Sequence, residues 1–332
     1  MAPSLLSSNM QNGVLPLIDE TLQLLSQKHP EEKTPSNNIL LPDTTVQVHP
    51  IRFEEINSES IRQSELRSKS GAGPSGLDSD GWRRLLTSSA FGEEPSDLCS
   101  AMPSSQEHCV LTSNTTTRSS PRLRRLIPLN MNPGLRPIRV DETLRRIIGK
   151  AVAKVLMNEV ADAVGSLQVC AGQDAGCEAA IHALLKIFEQ EETEAVMLVE
   201  ASNAFNSINR IAFLHNVRKI CPSIATFTIN CYSSSSLLYF VGGTEMSSAE
   251  GTTQGDPIAM LIYAIAVIPL IIHAVQKLHG DTTNTKAAGY ADDLFSGGKI
   301  IRLRKMWDIV KDLGPEYGYY QQADKTWIIV KP

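Results

Sequence analysis

Three carboxylates lie in the sequence where they could bind metal ions. Asp292 and Asp293 adjoin each other within Lys286 to Phe295, where short apolar stretches flank the acidic pair, and this pattern predicts a hairpin with both aspartates at its turn. Glu200 directly follows Ala195 to Val199, an apolar run of strand length. Carboxylates at neighbouring strand ends suit Mg²⁺, which prefers oxygen ligands and substrate phosphates. Two such ions can promote an in-line phosphoryl transfer, although an Asp-Asp pair in a turn also occurs without any metal.

The elements that must position these carboxylates alternate along the chain. Segments with helical spacing separate the predicted strands, and Thr326 to Val330 predicts a final strand. This order favours an α+β fold, a sheet with helices on one face. The uncharged run Ile258 to Val275 is long enough to cross a membrane. It contains Pro269 and His273 and lacks basic flanks, so we expect a buried core helix and no membrane partner.

Composition excludes several classes of protein. The chain has 332 residues, 42% of them hydrophobic and 20% charged, which is typical of a globular protein of about two domains rather than a fibrous or disordered one. Its six cysteines form no C-x-x-C pair, which argues against a zinc ribbon or a redox motif and favours reduced thiols. The polar N-terminus lacks a secretory signal, so we expect an intracellular protein of the cytoplasm or nucleus.

Two further patterns bear on nucleotide and nucleic-acid binding. Gly71 to Gly76 matches the G-x-G-x-x-G pattern, but no apolar strand precedes it and Pro74 interrupts it, which argues against a dinucleotide fold. Between Arg118 and Lys154 ten cations face two carboxylates, a local balance of +8 in a chain whose net charge is −5. Such a block predicts contact with a phosphate backbone, and a solvated helix face is the alternative. The candidate backbone contacts are Arg124, Arg125, Arg145, Arg146 and Lys150.

An ordered set of motifs resembles the reverse transcriptase domain of retrotransposons, most similar to the DIRS-like, tyrosine-recombinase elements of animals. The matching segments are Lys69 to Leu77 with Trp82, Arg136 to Ile138, Glu200 to Ser207, Gly251 to Pro257, Tyr290 to Asp293 and Gly314 to Lys325. The resemblance implies the fingers and palm of a right-hand polymerase, with an antiparallel palm sheet and the thumb largely missing. It also implies an RNA-directed DNA polymerase that extends a DNA primer on an RNA template with dNTP and two Mg²⁺ ions, or Mn²⁺ in their place.

The resemblance assigns roles to individual residues. It makes Glu200, Asp292 and Asp293 the metal ligands and Lys325 the lysine that protonates or steadies pyrophosphate. Phe205 matches the aromatic residue that lies beneath the sugar and excludes a 2′-hydroxyl. The remaining nucleotide-binding positions are Arg136, Gln254 and Gly255.

One departure from the family leaves an alternative open. The family has Asp where this chain has Glu200, one methylene longer. The alternative is therefore a catalytically inactive remnant that only binds nucleic acid or a partner protein. Along the chain we expect an N-terminal arm with one short helix (1–50), a fingers-like region with a Ser/Thr-rich loop near 103–120 (51–194) and a palm (195–332).

Overall fold

A computed structural model of the chain describes residues 13–42, 55–66, 71–87, 123–131, 134–173, 175–240, 243–278 and 286–332. The Ser/Thr-rich loop predicted near 103–120 lies outside these ranges, as do Lys69 and Ser70 of the first matching segment. The chain forms two compact units, each built from separated segments. Unit 1 comprises the described residues within Met1–Glu31, Val48–Val155 and Thr226–Ala259. Unit 2 comprises those within Glu32–Gln47, Leu156–Ala225 and Met260–Pro332.

The described helices and strands are numbered here in chain order. The helices are α1 (Asp19–Gln27), α2 (Ser58–Leu66), α3 (Ser79–Thr87), α4 (Thr143–Val164), α5 (Gly176–Glu189), α6 (Ala204–Ser207), α7 (Arg210–Ile220), α8 (Pro222–Tyr232), α9 (Ala259–Leu278) and α10 (Ile300–Tyr317). The strands are β1 (Leu123–Asn130), β2 (Leu135–Val140), β3 (Ala195–Val199), β4 (Ser236–Tyr239), β5 (Glu245–Ser248), β6 (Lys286–Tyr290), β7 (Asp293–Gly298) and β8 (Trp327–Val330). Short 3₁₀ turns span Asn37–Ile39, Gly165–Leu167 and Ala323–Lys325.

Unit 1 contains a sheet with the strand order β2-β1-β4-β5. β1 pairs antiparallel with β2 and parallel with β4, so the hairpin β4–β5 joins strands that precede it by about a hundred residues. α1 begins with Asp19 and Glu20, whose charges favour a helix N-terminus. Its Leu22 and Leu25 pack with buried leucines of the sheet, which anchors the helix.

Unit 2 contains an antiparallel sheet with the strand order β6-β7-β3-β8. On one face, Leu198 and Phe295 pack with Ala180 and other apolar residues of the α5 region. Met197 and its alternate neighbours on β3 point to the opposite face and are buried too. The sheet is therefore covered on both faces along β3, whereas the sequence predicted helices on one face.

The predicted strands and hairpin agree with the observed elements, and the α+β class agrees with two sheets combined with ten described helices. The division of the chain differs. The sequence predicted three consecutive regions, 1–50, 51–194 and 195–332, but each compact unit draws on three separated segments. The parallel pairing of β1 with β4 is one cause, because it recruits residues after position 225 into unit 1.

Helix α9 confirms the prediction of a long apolar helix. Among the described helices, it is the one long and apolar enough to cross a membrane by length and composition. However, 72% of its most apolar stretch is buried inside the structure, as in the core helix of a globular protein.

Candidate active site

The hairpin β6–β7, residues Lys286 to Gly298, presents both aspartates at one end and is called here the carboxylate hairpin. Ala291 and Asp292 form its turn, and Asp293 is the first residue of β7, paired with Tyr290. β7 pairs with β3 so that Leu294 faces Val199. Continuing this antiparallel register by one residue places Glu200 beside Asp293. The structure thus brings together the three carboxylates singled out from the sequence.

Two buried side chains fix the carboxylate hairpin in place. The Gln168 amide donates to the Ala291 carbonyl and accepts from the Ala291 N–H, both at 2.9 Å. Ala291 has a left-handed backbone (φ 54°), which is uncommon for a residue with a Cβ, and the two bonds from Gln168 hold it there. The Tyr319 hydroxyl lies 3.1 Å from the carbonyl oxygen of Asp292 and 3.3 Å from that of Val199. Tyr319 therefore ties the hairpin turn to the end of β3.

Lys325 lies directly against Glu200. Its Nζ is 2.6 Å from Glu200 Oε1, and the two side chains are 53% and 36% exposed. The backbone contributes as well, since the Gln322 N–H donates to the Glu200 carbonyl and Ser202 donates to the Tyr320 carbonyl. The segment before β8 is thus held beside the carboxylates, which brings the predicted lysine to the site.

The electrostatics of the carboxylates reflect this crowding. Burial, and then the charges of Asp292 and Glu200, raise the pKa of Asp293 to about 6, and Lys325 partly offsets them. A proton or a cation between the carboxylates would relieve the repulsion.

Carboxylate oxygens of this kind are the donors that Mg²⁺ prefers. Within the described residues, however, no group of three or more His, Cys, Asp or Glu side chains is arranged to hold a metal ion. Glu200 is engaged by Lys325, so it would have to exchange the ammonium group for an ion. Asp292 and Asp293 fit the predicted ligand role in donor type and charge, and Glu200 fits it only after that exchange.

Phe205 lies on the four-residue helix α6, which follows Asn203 in a left-handed conformation (φ 53°). The Phe205 ring is partly exposed and stacks on the ring of Tyr263 from α9, with centroids 4.6 Å apart and planes tilted by 32°. The sequence predicted a role for Phe205 but gave no sign of its aromatic neighbour.

Unit 1 contains a largely buried network of charged and hydrogen-bonded side chains, called here the Arg–Asp network: Arg124, Asp141, Arg145, Tyr232 and Asp256. Arg124 Nε lies 2.8 Å from Asp141, and Arg145 lies 3.3 Å from Asp141 and 2.7 Å from Asp256. The Tyr232 hydroxyl donates to Asp256 Oδ2 at 2.8 Å and accepts from the Thr253 N–H at 3.2 Å.

The charges of the network determine which groups stay ionised. Burial by itself would raise the pKa of Asp256, but the Arg145 guanidinium and then Arg124 hold it below its ordinary value. Burial raises the pKa of Tyr232, so its hydroxyl keeps its proton. The network fixes the loop that precedes α9, which contains Gln254 and Gly255.

Gly255 has a structural reason to be glycine. Its backbone is left-handed (φ 100°), and a Cβ there would lie 2.7 Å from the Arg139 carbonyl oxygen. Gly255 is exposed and Gln254 is half-buried. Arg136 is exposed on β2, where its guanidinium can reach an anion in solution.

The buried network corrects part of the predicted backbone-contact surface. Arg124 is 1% exposed and Arg146 9% exposed, so burial argues against these two as contacts for a nucleic acid. Arg145 is half-buried and paired with two aspartates, and its contact with nucleic acid stays a prediction. Arg146 also bonds to the Gly71 carbonyl. Arg125 and Lys150 are half-buried, and their contact with nucleic acid stays a prediction. The sequence could not reveal this, because Asp256 lies 111 positions from the arginine that it neutralises.

Several residues of the site were missed by the sequence analysis. Gln168 lies in none of the matching segments, and Tyr319 lies in one that assigns it no role, so only their contacts show what they hold. Asp256 lies within a matching segment, Gly251 to Pro257. The signal available in the sequence was an acidic residue beside a turn, which needs a buried partner if it is itself buried.

No protein-family model matches the chain, and no curated protein matches it either. Among solved structures, apo telomerase from Candida tropicalis, truncated from its C-terminal domain, is similar with a TM-score of 0.49 and 13% identity over 64% of this chain and 51% of that chain. Telomerase from the same organism in complex with the TWJ fragment of telomeric RNA gives a TM-score of 0.49 and 11% identity over 63% and 41%. The similar part thus spans about half or less of those chains, and at these values it assigns no activity, substrate or partner.

Proposed function

We propose that this chain is the RNA-directed DNA polymerase domain of a mobile element, acting inside the cell in the cytoplasm or nucleus. Its reaction joins a dNTP to the 3′-hydroxyl of a DNA primer on an RNA template and releases pyrophosphate. The observation that supports it best is the meeting of Asp292, Asp293 and Glu200 at adjacent strand ends, with Lys325 beside them. The ordered motifs of the sequence agree with this arrangement.

Asp292, Asp293 and Glu200 would hold the two Mg²⁺ ions, which when bound lower the pKa of the primer hydroxyl and stabilise the leaving group. The chain's own residues supply position and proton transfer. Lys325 carries ammonium protons at the site and can give one to the departing pyrophosphate oxygen. Phe205 is proposed to lie beneath the sugar and to exclude a 2′-hydroxyl by its bulk.

In unit 1, Arg136 is the residue proposed for the triphosphate, since its exposed guanidinium matches phosphate geometry. Gln254 and Gly255 are proposed to lie against the incoming nucleotide and template. The Arg–Asp network keeps their loop in one conformation, which reduces the ordering that substrate binding must impose.

A second candidate function rests on the contact between Lys325 and Glu200. A glutamate in place of the family's aspartate reaches the lysine and forms an ion pair with it. A chain that keeps this pair in the presence of a divalent ion would be a silent module that binds nucleic acid or a partner protein without catalysis.

The test is dNTP incorporation on a primed RNA template with Mg²⁺ and with Mn²⁺, using the unsubstituted chain, Glu200→Asp and Asp292→Asn. Synthesis by the unsubstituted chain, with a loss on the order of 10²-fold or more in Asp292→Asn, supports the proposed polymerase. Synthesis by Glu200→Asp alone supports an inactive copy of a polymerase, because a reacting group displaced by about 1 Å costs on the order of 10²-fold in rate.

If neither the unsubstituted chain nor Glu200→Asp synthesises DNA, the polymerase proposal is overturned. The silent module is then tested by retention of the primed template in an electrophoretic shift assay. Arg125→Ala, at a predicted backbone contact, should weaken that retention, and the matched change Arg304→Ala, at an arginine on α10 paired with Asp308, should leave it unchanged.

A further inference from the structure

The stack between Phe205 and Tyr263 joins a partly exposed ring to a fully buried one. Tyr263 is 0% exposed, and the α9 residues before and after it are buried as well. Phe205 lies on a helix of only four residues, a much shorter element than α9. Of the two rings, Tyr263 is therefore the fixed one and Phe205 the one that it supports.

Nothing in the described hydrogen bonding explains a tyrosine at this position. The Tyr263 hydroxyl is buried and has no hydrogen-bond partner within the described residues. Burying an unpaired hydroxyl costs free energy of folding, so any favourable contribution of Tyr263 comes from its ring. Burial, and then the charges of Tyr319 and Asp292, raise the pKa of Tyr263, so its hydroxyl keeps its proton.

We propose that Tyr263 is a positioning residue for sugar selection, because its ring fixes how far Phe205 projects toward the sugar of the incoming nucleotide. This inference deepens the proposed function and rests on it. Exclusion of a 2′-hydroxyl by bulk requires a ring that cannot retreat, since a displacement of about 1 Å near the reacting groups already changes rates on the order of 10²-fold. The stacked ring of Tyr263 blocks that retreat on its side of Phe205.

The proposal predicts different outcomes for two substitutions of Tyr263. Tyr263→Phe keeps the stacked ring and removes only the unpaired hydroxyl, so selection against ribonucleotides should stay unchanged. Tyr263→Leu removes the ring and leaves space beneath Phe205, so the preference for dNTP over the matching rNTP should fall about tenfold, which is the usual effect of a small change in pocket packing. The fall should come from faster rNTP incorporation, with dNTP incorporation reduced less.

The experiment measures single-nucleotide kcat/KM for a dNTP and its rNTP on a primed RNA template, in the unsubstituted chain, Tyr263→Phe, Tyr263→Leu and Tyr317→Leu. Tyr317→Leu is the matched control, since Tyr317 is a buried aromatic residue of the same unit whose hydroxyl lies 3.5 Å from His273 Nδ1. It should lower thermal stability about as much as Tyr263→Leu and leave the dNTP preference unchanged.

Three results would overturn the inference. The first is an unchanged dNTP preference in Tyr263→Leu, and the second is an equal fall in Tyr317→Leu, which would indicate general loosening of unit 2. In both cases the proposed polymerase function stands, because incorporation is observed. The third is no incorporation by the unsubstituted chain or by the same chain carrying Glu200→Asp, which overturns the proposed function and this inference together.

Discussion

At the scale of single residues, the conformation of the carboxylate hairpin depends on side chains that are distant in sequence. Gln168 bonds to both backbone groups of Ala291 although the two residues are 123 positions apart. Tyr232 similarly connects Asp256 with the Thr253 backbone in unit 1. Each side chain satisfies buried polar groups that would otherwise lack a partner, so each is expected to be costly to remove.

Gln168→Leu should loosen the carboxylate hairpin. The change leaves the N–H and carbonyl of Ala291 without their bonds to Gln168, at a cost of about 1–3 kcal/mol for each unpaired group. We expect faster hydrogen exchange at the amides of residues 286–298 and lower stability in urea. The control is Gln173→Leu, which removes a single exposed bond to the Gly165 carbonyl and should change neither measurement. Equal exchange in both variants would contradict a clamping role for Gln168.

Tyr232→Phe should destabilise the loop that precedes α9. The variant keeps the ring but removes the hydroxyl that donates to Asp256 and accepts from Thr253, which should cost about 1–3 kcal/mol. Thermal unfolding of this variant is compared with that of Tyr239→Phe, which makes the same change on the half-buried strand β4. A similar melting temperature in the two variants would show that the Tyr232 hydroxyl contributes little.

At the scale of elements, β8 differs from every other strand of unit 2. Its four residues are apolar and exposed by 50% to 70%, with Trp327 the most exposed. Among the described strands it lies at the edge of the sheet, with side chains open on both faces. An exposed apolar edge strand has unpaired backbone groups and is a recognised aggregation site.

Ile329→Lys should reduce aggregation of the chain. A charge on an edge strand opposes pairing between strands of different molecules. The matched control is Ile181→Lys, an equally exposed isoleucine on α5, whose backbone groups are already paired within the helix. Light scattering during storage at high concentration should fall clearly for Ile329→Lys and only slightly for Ile181→Lys. The same reduction in both would indicate a general effect of charge rather than of the strand edge.

At the scale of the whole molecule, two buried groups of unit 1 make stability depend on pH. Glu65 on α2 is buried, and neither of its oxygens has a hydrogen-bond partner among the residues that the structure describes. Burial raises its pKa to about 7 despite the charges of Arg83, Lys150 and Arg146. Because the pKa of Glu65 is raised above its ordinary value, the contribution of Glu65 to the free energy of unfolding is fully present below pH 4.5. This contribution is lost as the pH rises through 7. Burial, and then Arg139, lower the pKa of His29 to about 4, so its contribution is lost in the opposite direction, as the pH falls from 6.5 to 4.

Glu65→Gln should therefore stabilise the chain at alkaline pH. At pH 8 the substitution removes a buried negative charge, with an expected gain on the order of 1–2 kcal/mol in the free energy of unfolding. At pH 4, where Glu65 is neutral, little gain is expected. Urea unfolding at both pH values checks this, with Glu59→Gln as control, since Glu59 lies exposed on the same helix and bonds to Arg62. A gain for Glu65→Gln that is equal at pH 4 and pH 8 would contradict the assignment.

The sequence by itself determined the elements whose signals are local. The apolar run Ala195–Val199 with Glu200 at its end, the hairpin bearing Asp292 and Asp293, and the buried helix α9 all follow from hydrophobic periodicity and turn residues within a few positions. These segments include the three candidate carboxylates, which explains why the order of residues alone is enough to predict that they lie at strand ends; the metal site itself stays a prediction.

Only the tertiary structure decided which distant segments meet. It buried Arg124 and Arg146 and paired Arg124 and Arg145 with aspartates, although the spacing of these arginines alone resembles a surface for nucleic acid. It also placed Lys325 against Glu200 and Tyr263 against Phe205. The physical reason is that burial and pairing are properties of contacts across the fold. A charge pattern read along the chain is the same whether its partners are water, phosphate or an aspartate distant in sequence.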